Sequence, residues 1–254
     1  FTVATNNPTV ATFSMKDSTT VKIAGLKAGR TSIKLTDAAT GATRYVGVRV
    51  HNTNGTLPGQ PKYLAVGSVS EDSSADLNFF RNYQNGNDTG ARVDSRYIYV
   101  NGGPVQGWRS WTPGMPDGWR VTSYLRESKK LGMTSTLVYY NVPDSGESYY
   151  TNKEHLESNS YMQAYFKDLK FTLDIVNKET PDDPTGMVLE PDMIGYYAQN
   201  NHNPDTTPAQ TSAVYDSGVL VHGVDPEFPN TLHGFVSAVN YVIKKTSPQV
   251  VFGW

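Results

Sequence analysis

Two carboxylates in the segment 186–193 are the residues of this chain whose types and spacing best suit acid–base chemistry. The apolar run 186–189 is typical of a strand, and it leads directly into Glu190, Pro191 and Asp192. Hydrolysis of a glycosidic bond needs one carboxylic acid near the leaving oxygen and a second carboxylate that guides water or attacks the sugar. A strand end holds an acid rigidly, and apolar neighbours raise its pKa. Glu190 and Asp192 are therefore candidate catalytic residues; the alternative is that they cap the following helix or pair with arginine.

Aromatic residues are the second chemical signal, because the chain contains 16 Tyr, 4 Trp and 9 Phe. Aromatic rings stack on the apolar faces of sugars, and sugar hydroxyls need neutral hydrogen-bonding partners, although β-rich proteins share this composition. Trp108 and Trp111 lie in a loop with Gly and Pro, so we expect exposed stacking platforms; a packed lid cluster is the alternative. The remaining predicted substrate-binding residues are Tyr139, Tyr140, Asn141, Tyr196 and Trp254.

Charge and composition argue against several other classes of function. The formal net charge is −2, and no Lys/Arg cluster forms the basic face that nucleic-acid binding requires. The chain has no cysteine, which rules out disulfides and thiolate chemistry, and no apolar run approaches the about 20 residues of a membrane span. Its histidines and acidic residues lack the spacing of zinc or calcium sites, so we predict no metal and no cofactor.

The elements that must position these side chains differ between the two parts of the chain. In residues 1–50, polar and apolar residues alternate in four runs (9–13, 20–23, 31–35 and 45–50), which predicts a sandwich of antiparallel strands. Residues 51–61 are rich in Asn, Gly and Pro and predict a linker.

From residue 62 to residue 254 the pattern alternates between strands and helices, which predicts a parallel sheet and an α/β barrel. About five strands precede the end of the chain, whereas a closed barrel takes roughly 250 residues by itself. We therefore expect an incomplete barrel; an open and unusual sheet is the alternative. The predicted strands cover 63–69, 96–100, 134–140, 186–189 and 249–252, and the predicted helices cover 121–131, 161–178 and 231–244.

The first part of the chain resembles a known module. Residues 7–12 (NPTVAT) and 25–31 (GLKAGRT), with a closing Val-x-Val strand, resemble the group 2 bacterial immunoglobulin-like domain. The resemblance covers residues 1–50 without the first strands of a full module, and it implies a spacer or cell-surface module without catalytic residues. The chain begins at Phe1, which indicates a processed or trimmed start. With the resemblance to this module, we expect an extracellular or cell-surface location.

The second part resembles a family of hydrolases. Residues 188–192 (VLEPD) resemble the V-[LI]-E-P-D strand of glycoside hydrolase family 6, the inverting cellulases. Residues 137–144 (LVYYNVPD) and 161–166 (YMQAYF) resemble two further elements of that family, in the same order. The resemblance implies a multidomain chain in which a partial immunoglobulin-like sandwich precedes a partial TIM-like barrel, with Asp192 as general acid.

One family motif is missing, and this leaves two functions open. The family's Arg-Asp-Cys, whose Asp supports the acid, is replaced by DSGE at residues 144–147, so Asp144 or Glu147 could substitute. Alternatively, the fold is that of another barrel family in which Glu190 is the acid and the nucleophile lies beyond residue 254. We therefore expect a secreted hydrolase of a β-linked polysaccharide such as cellulose, with Asp192, Glu190 and Asp144 as catalytic residues. The second hypothesis is a non-catalytic polysaccharide-binding or cell-surface matrix protein, and the oligomeric state stays open.

Overall fold

The computed structural model describes residues 1–55, 64–84, 93–144 and 146–254. For residues 82–84 it describes only the backbone. Most of the predicted linker, residues 56–61, lies outside the described part of the chain, as does Tyr63 at the start of a predicted strand.

Residues 1–50 form five strands: β1 (Thr2–Thr5), β2 (Ala11–Met15), β3 (Val21–Gly25), β4 (Gly29–Thr36) and β5 (Thr43–Val50). The antiparallel sheet β1-β4-β5 is three-stranded, and β2 and β3 form a separate antiparallel hairpin. The buried apolar residues of this part of the chain are Val10, Ala11 and Ile33. The four strands predicted from the sequence are confirmed, and β1 is additional.

The second part of the chain is built on one parallel sheet. Its strands are β6 (Gly67–Val69), β7 (Ser95–Asn101), β8 (Thr134–Tyr140), β9 (Thr185–Leu189) and β10 (Val250–Gly253). They lie in the order β10-β9-β8-β7-β6, and each neighbouring pair is parallel. The carboxyl ends of all five strands therefore meet at one edge of the sheet, called here the carboxyl edge.

Helices connect these strands: α1 (Ser74–Gln84), α2 (Trp119–Lys130), α3 (Tyr149–Leu156), α4 (Asn159–Glu179), α5 (Met193–Gln199), α6 (Ala213–Asp216) and α7 (Leu232–Thr246). The three predicted helices correspond to α2, α4 and α7 and are confirmed. Ser158 and Thr231 begin the two longest, because each hydroxyl accepts a backbone N–H of the first turn. None of the described helices combines the length and apolar character that a bilayer crossing needs.

The main core lies between the parallel sheet and the helices. Leu137 and Leu189 of the sheet are fully buried against Leu169, Leu173 and Val176, which follow the apolar stripe of α4. A spacing of three to four residues places such side chains on one helix face, so the pattern that predicts α4 also explains its packing.

The amino-terminal strands pack on the second part of the chain through α7. Tyr45 of β5 contacts Tyr241 edge to face, with ring centroids 6.0 Å apart. The Thr43 hydroxyl donates to a carboxylate oxygen of the buried Asp225 at 3.3 Å, and Lys245 forms an ion pair with the same carboxylate at 2.8 Å. These contacts join β5 to α7 directly.

The predicted fold class, an immunoglobulin-like sandwich followed by a TIM-like barrel, is wrong. The structure is a mixed α/β fold with two small antiparallel sheets and a five-stranded parallel sheet that has β6 and β10 at its two edges. Alternating strands and helices predict parallel pairing, and that much is confirmed. Closure into a barrel depends on strand tilt and stagger, which the order of apolar and polar residues does not encode.

Candidate functional site

Glu190 and Asp192 lie at the carboxyl edge, in the turn that joins β9 to α5. The backbone of Glu190 is in the left-handed region, with φ of 41°, which is uncommon for a residue other than glycine. Its N–H donates to the carbonyl of Tyr139 at 2.9 Å, and its carbonyl accepts the N–H of Met193 at 3.0 Å. The turn thus continues the pairing of β9 with β8 by one residue before the chain enters the helix.

The Glu190 side chain is buried, with an exposed fraction of 1%. Its two carboxylate oxygens accept the backbone N–H groups of Asn141 and Val142, each at 3.0 Å. Burial raises the pKa of Glu190 to about 7, although the two N–H donors oppose the shift. The carboxylate therefore fastens the loop after β8 to the end of β9, and a sugar cannot reach it in this conformation.

Asp192 is exposed at the start of α5, in contrast to Glu190. The hydroxyl of Tyr140 donates to its Oδ2 at 2.8 Å. Burial, followed by this hydrogen bond, holds the pKa of Tyr140 well above its ordinary value, and the charges of Asp192, Glu147 and Tyr196 add to the shift. Asp192, Tyr140 and the partly exposed Tyr196 therefore lie close together at the carboxyl edge.

Asp144 is also exposed, in the loop after β8. Its Oδ1 lies 3.7 Å from Nε2 of His155. The other ring nitrogen of His155 is 2.5 Å from the carbonyl of Val142, and its ring stacks on Tyr161 with centroids 3.8 Å apart. The same loop therefore carries an accessible carboxylate with a histidine beside it.

His155 and Tyr161 are functional candidates that sequence reasoning misses. His155 lies in α3, a helix without a clear apolar stripe, since its only buried residues are Asn152 and Leu156. Tyr161 belongs to the apolar stripe of α4, yet its hydroxyl donates to the carbonyl of Asn141 at 2.6 Å. Sequence spacing gives no signal for either contact.

Three of the predicted substrate-binding residues are buried. Asn141 is fully enclosed: its Oδ1 accepts the N–H of Gly103 at 3.2 Å, and its Nδ2 donates to the carbonyl of Val100 at 2.9 Å. Tyr139 is also fully buried, and Tyr140 exposes 4% of its surface. Asn141 thus ties the loops after β7 and β8 together, and only the hydroxyl end of Tyr140 faces the candidate site.

The predicted exposure of Trp108 is wrong, because this side chain is fully buried. Its ring stacks against Phe171 of α4, with centroids 6.1 Å apart. Trp111 is 44% exposed, and the Arg120 guanidinium lies 4.8 Å from the centroid of its ring. Trp254 is partly buried and donates from Nε1 to Asn240 at 2.9 Å. Of the three tryptophans, Trp111 therefore presents the most accessible ring.

A second buried carboxylate, Asp168 of α4, has no counterpart in the sequence reasoning. Its Oδ2 accepts hydrogen bonds from Nε1 of Trp108 at 3.1 Å and from the hydroxyl of Tyr139 at 2.9 Å. Burial raises the pKa of Asp168 to about 6, which these two donors and the charge of Arg109 oppose. The sequence does contain a signal for this site: Asp168 lies among the apolar residues of α4, and an acid buried there requires polar partners.

No group of three or more His, Asp or Glu side chains suited to a metal ion occurs among the described residues. Two cavities of about 350 and 450 Å³ are lined by residues of the amino-terminal strands and of the loops before β9 and β10. Asp192 and Asp144 line neither cavity, and both are exposed at the carboxyl edge.

Comparison of this chain with protein-family models, with curated proteins and with solved structures gives no match. The two resemblances drawn from the sequence therefore stay predictions.

Proposed function

We propose that the carboxyl edge of the parallel sheet is the active site of a glycoside hydrolase that cleaves a β-linked, cellulose-like polysaccharide. One observation carries the proposal: the loops after the adjacent strands β8 and β9 present two exposed carboxylates, Asp144 and Asp192. Ligand sites of open parallel sheets lie outside the carboxyl ends of their strands. Most glycoside hydrolases use a pair of Asp or Glu carboxylates.

In the proposed reaction Asp192 is the general acid. Its carboxyl proton passes to the glycosidic oxygen as the bond from that oxygen to C1 breaks, and the bonding electron pair stays on the oxygen. Water adds to C1 and releases a proton to Asp144, so that one acid is consumed and one is formed. The Tyr140 hydroxyl, 2.8 Å from Asp192, fixes the orientation of that carboxyl group.

Glu190 is a positioning residue in this scheme and not a catalytic residue. Its carboxylate accepts hydrogen bonds from the N–H groups of Asn141 and Val142. These two residues lie just before Asp144 in the same loop. Loss of these bonds would release the loop that presents Asp144, and a displacement of about 1 Å at a catalytic group can cost roughly 100-fold in rate. Trp111 is the proposed stacking surface for a sugar ring, since it is the most exposed of the three predicted tryptophans.

A reducing-sugar assay on soluble β-glucans tests the proposal. We expect the change Asp192→Asn to lower kcat by about 100-fold or more, because an amide cannot donate the proton. The matched control is Asp174→Asn, which removes an exposed carboxylate of α4 whose ion pair with Lys170 is worth at most about 1 kcal/mol. Equal rates for Asp192→Asn and the wild-type protein would refute the assignment of Asp192.

A second candidate function is polysaccharide binding without turnover. The burial of Glu190 favours it, because one of the two carboxylates of the Glu-Pro-Asp turn is withdrawn from any ligand. In this case the wild-type protein is retarded by β-glucan in affinity electrophoresis while no reducing sugar is released. A change Trp111→Ala then weakens the retardation, because the stacking surface is lost.

A further inference from the structure

A groove with only cationic ionisable side chains lies beside β10, and neither Asp144 nor Asp192 lines it. It has a volume of about 450 Å³ and runs between β4 and β5 on one side and the end of α7 and β10 on the other. Arg30, Arg49 and Lys244 line it, and no Asp or Glu does. Ser247 and Pro248, which precede β10, also line it, so it reaches the opposite edge of the sheet from Asp192.

The two arginines of this groove face each other across a strand pair. Arg30 of β4 is directly opposite Arg49 of β5 in the antiparallel register, and like charges in that position are destabilising. Burial lowers the pKa of Arg30, and the charge of Arg49 lowers it further. Among the described residues, none forms an ion pair with Arg30, Arg49 or Lys244.

The acidic side chains that line the neighbouring cavity have other partners. Asp182 and Asp183 line an adjacent cavity of about 350 Å³ that shares Arg30 with the groove. Asp182 accepts a hydrogen bond from Asn7 at 3.4 Å, and Asp183 forms an ion pair with Lys129 at 3.2 Å. Within the described part of the chain, the carboxylates beside the groove therefore pair with other groups and not with its three cations.

We infer that this groove binds an oxyanion: a sulfate, phosphate or carboxylate group held by Arg30, Arg49 and Lys244. A guanidinium presents paired N–H donors that match two oxygens of such a group. An anion between the arginines would also offset their mutual repulsion, since it attracts both guanidinium groups. The inference does not depend on the proposed hydrolase, since it uses none of the residues of the carboxyl edge.

Isothermal titration of the whole chain at low ionic strength tests the inference. The probes are inorganic sulfate, inorganic phosphate, dextran sulfate and uncharged dextran, which separate a free anion from an anionic polysaccharide. We expect saturable binding of at least one anionic probe. The changes Arg49→Gln and Lys244→Gln, both at exposed positions, should each weaken it by about tenfold, as loss of one charge-assisted hydrogen bond implies.

Lys22→Gln is the matched control, because Lys22 is an exposed cation of β3 that does not line the groove. We expect the affinity of this control to stay within about twofold of the wild-type value. That result, together with weaker binding in Arg49→Gln and Lys244→Gln, supports the site. Binding of dextran sulfate alone identifies a polymeric ligand, and binding of sulfate or phosphate identifies a small one. The inference is overturned if no anionic probe binds, or if Lys22→Gln weakens binding as much as the other two changes.

Discussion

Glu190 and Asp192 are separated by a single proline, yet their side chains have opposite environments. The strained backbone of Glu190 turns its carboxylate inward, where it meets two backbone N–H groups. Asp192 stands at the surface, where Tyr140 is its hydrogen-bonding partner. This difference supports the proposal that Glu190 positions the loop and that Asp192 transfers the proton.

The raised pKa of Glu190 predicts a stability that depends on pH. The pKa rises from 4.5 to about 7 on folding, so between these values the folded chain binds more protons than the unfolded chain. The stabilisation is complete below pH 4.5 and is lost as the pH rises through 7, and a shift of this size corresponds to roughly 3 kcal/mol. Urea unfolding between pH 4 and pH 8 measures it.

The change Glu190→Gln should flatten this pH dependence, because the amide does not titrate. At pH 5, where Glu190 is protonated, the free energy of unfolding should stay within about 1 kcal/mol of the wild-type value, because an amide and a carboxylic acid each present one acceptor oxygen and one donor group. The control is Asp192→Asn, which should change stability by less than about 0.5 kcal/mol, as is usual at the surface. An unchanged pH profile in Glu190→Gln would show that another group causes the titration.

The exposure of Asp192 could be predicted from sequence, whereas the burial of Glu190 could not. A residue just beyond an apolar strand is expected at the edge of the sheet, and Asp192 is found there. The partners of Glu190, however, are backbone groups 49 and 48 positions earlier in the chain. Residue types do not encode such a bond, since every non-proline residue carries the same N–H donor.

At the scale of elements, the sequence patterns work best where a helix or strand has one clearly apolar face. The stripe of α4 predicts both the helix and its burial against the sheet, as Leu169 and Leu173 confirm. Helix α3 has no such stripe, and therefore the pattern could not predict the position of His155 beside Asp144. Loops and short helices of this kind carry much of the candidate site.

The strand pair β4–β5 supports a prediction about stability. Removing one of the two facing cations, by Arg49→Gln, should raise the free energy of unfolding in anion-free buffer by roughly 0.2–1 kcal/mol, because the repulsion from Arg30 disappears. Denaturant unfolding without sulfate or phosphate measures the change. The control is Lys22→Gln, because Lys22 has no cation opposite it in the register of β2 and β3. The stability of this variant should stay close to that of the wild-type protein. A loss of stability in Arg49→Gln would contradict the account.

At the scale of the whole molecule, two candidate sites use different residues around the parallel sheet. The carboxylates of the proposed active site lie at its carboxyl edge, and the cationic groove reaches the other edge near Ser247. The amino-terminal strands form one wall of that groove and pack on α7 through Tyr45 and Tyr241. The order of strands and helices predicts the parallel sheet. It could not predict that the described sheet has β6 and β10 as edges, because closure of a sheet depends on the tilt and stagger of its strands.

A crystal structure of the Asp192→Asn variant with a soluble β-glucan oligosaccharide tests the central claim most directly. The amide at this position removes proton donation to the substrate, so the oligosaccharide should persist uncleaved. We predict that it lies across the carboxyl edge, with a glycosidic oxygen within about 3.2 Å of the side chain at position 192 and a sugar ring on Trp111. An oligosaccharide bound elsewhere, with the carboxyl edge empty, would contradict the assignment of this edge as the active site.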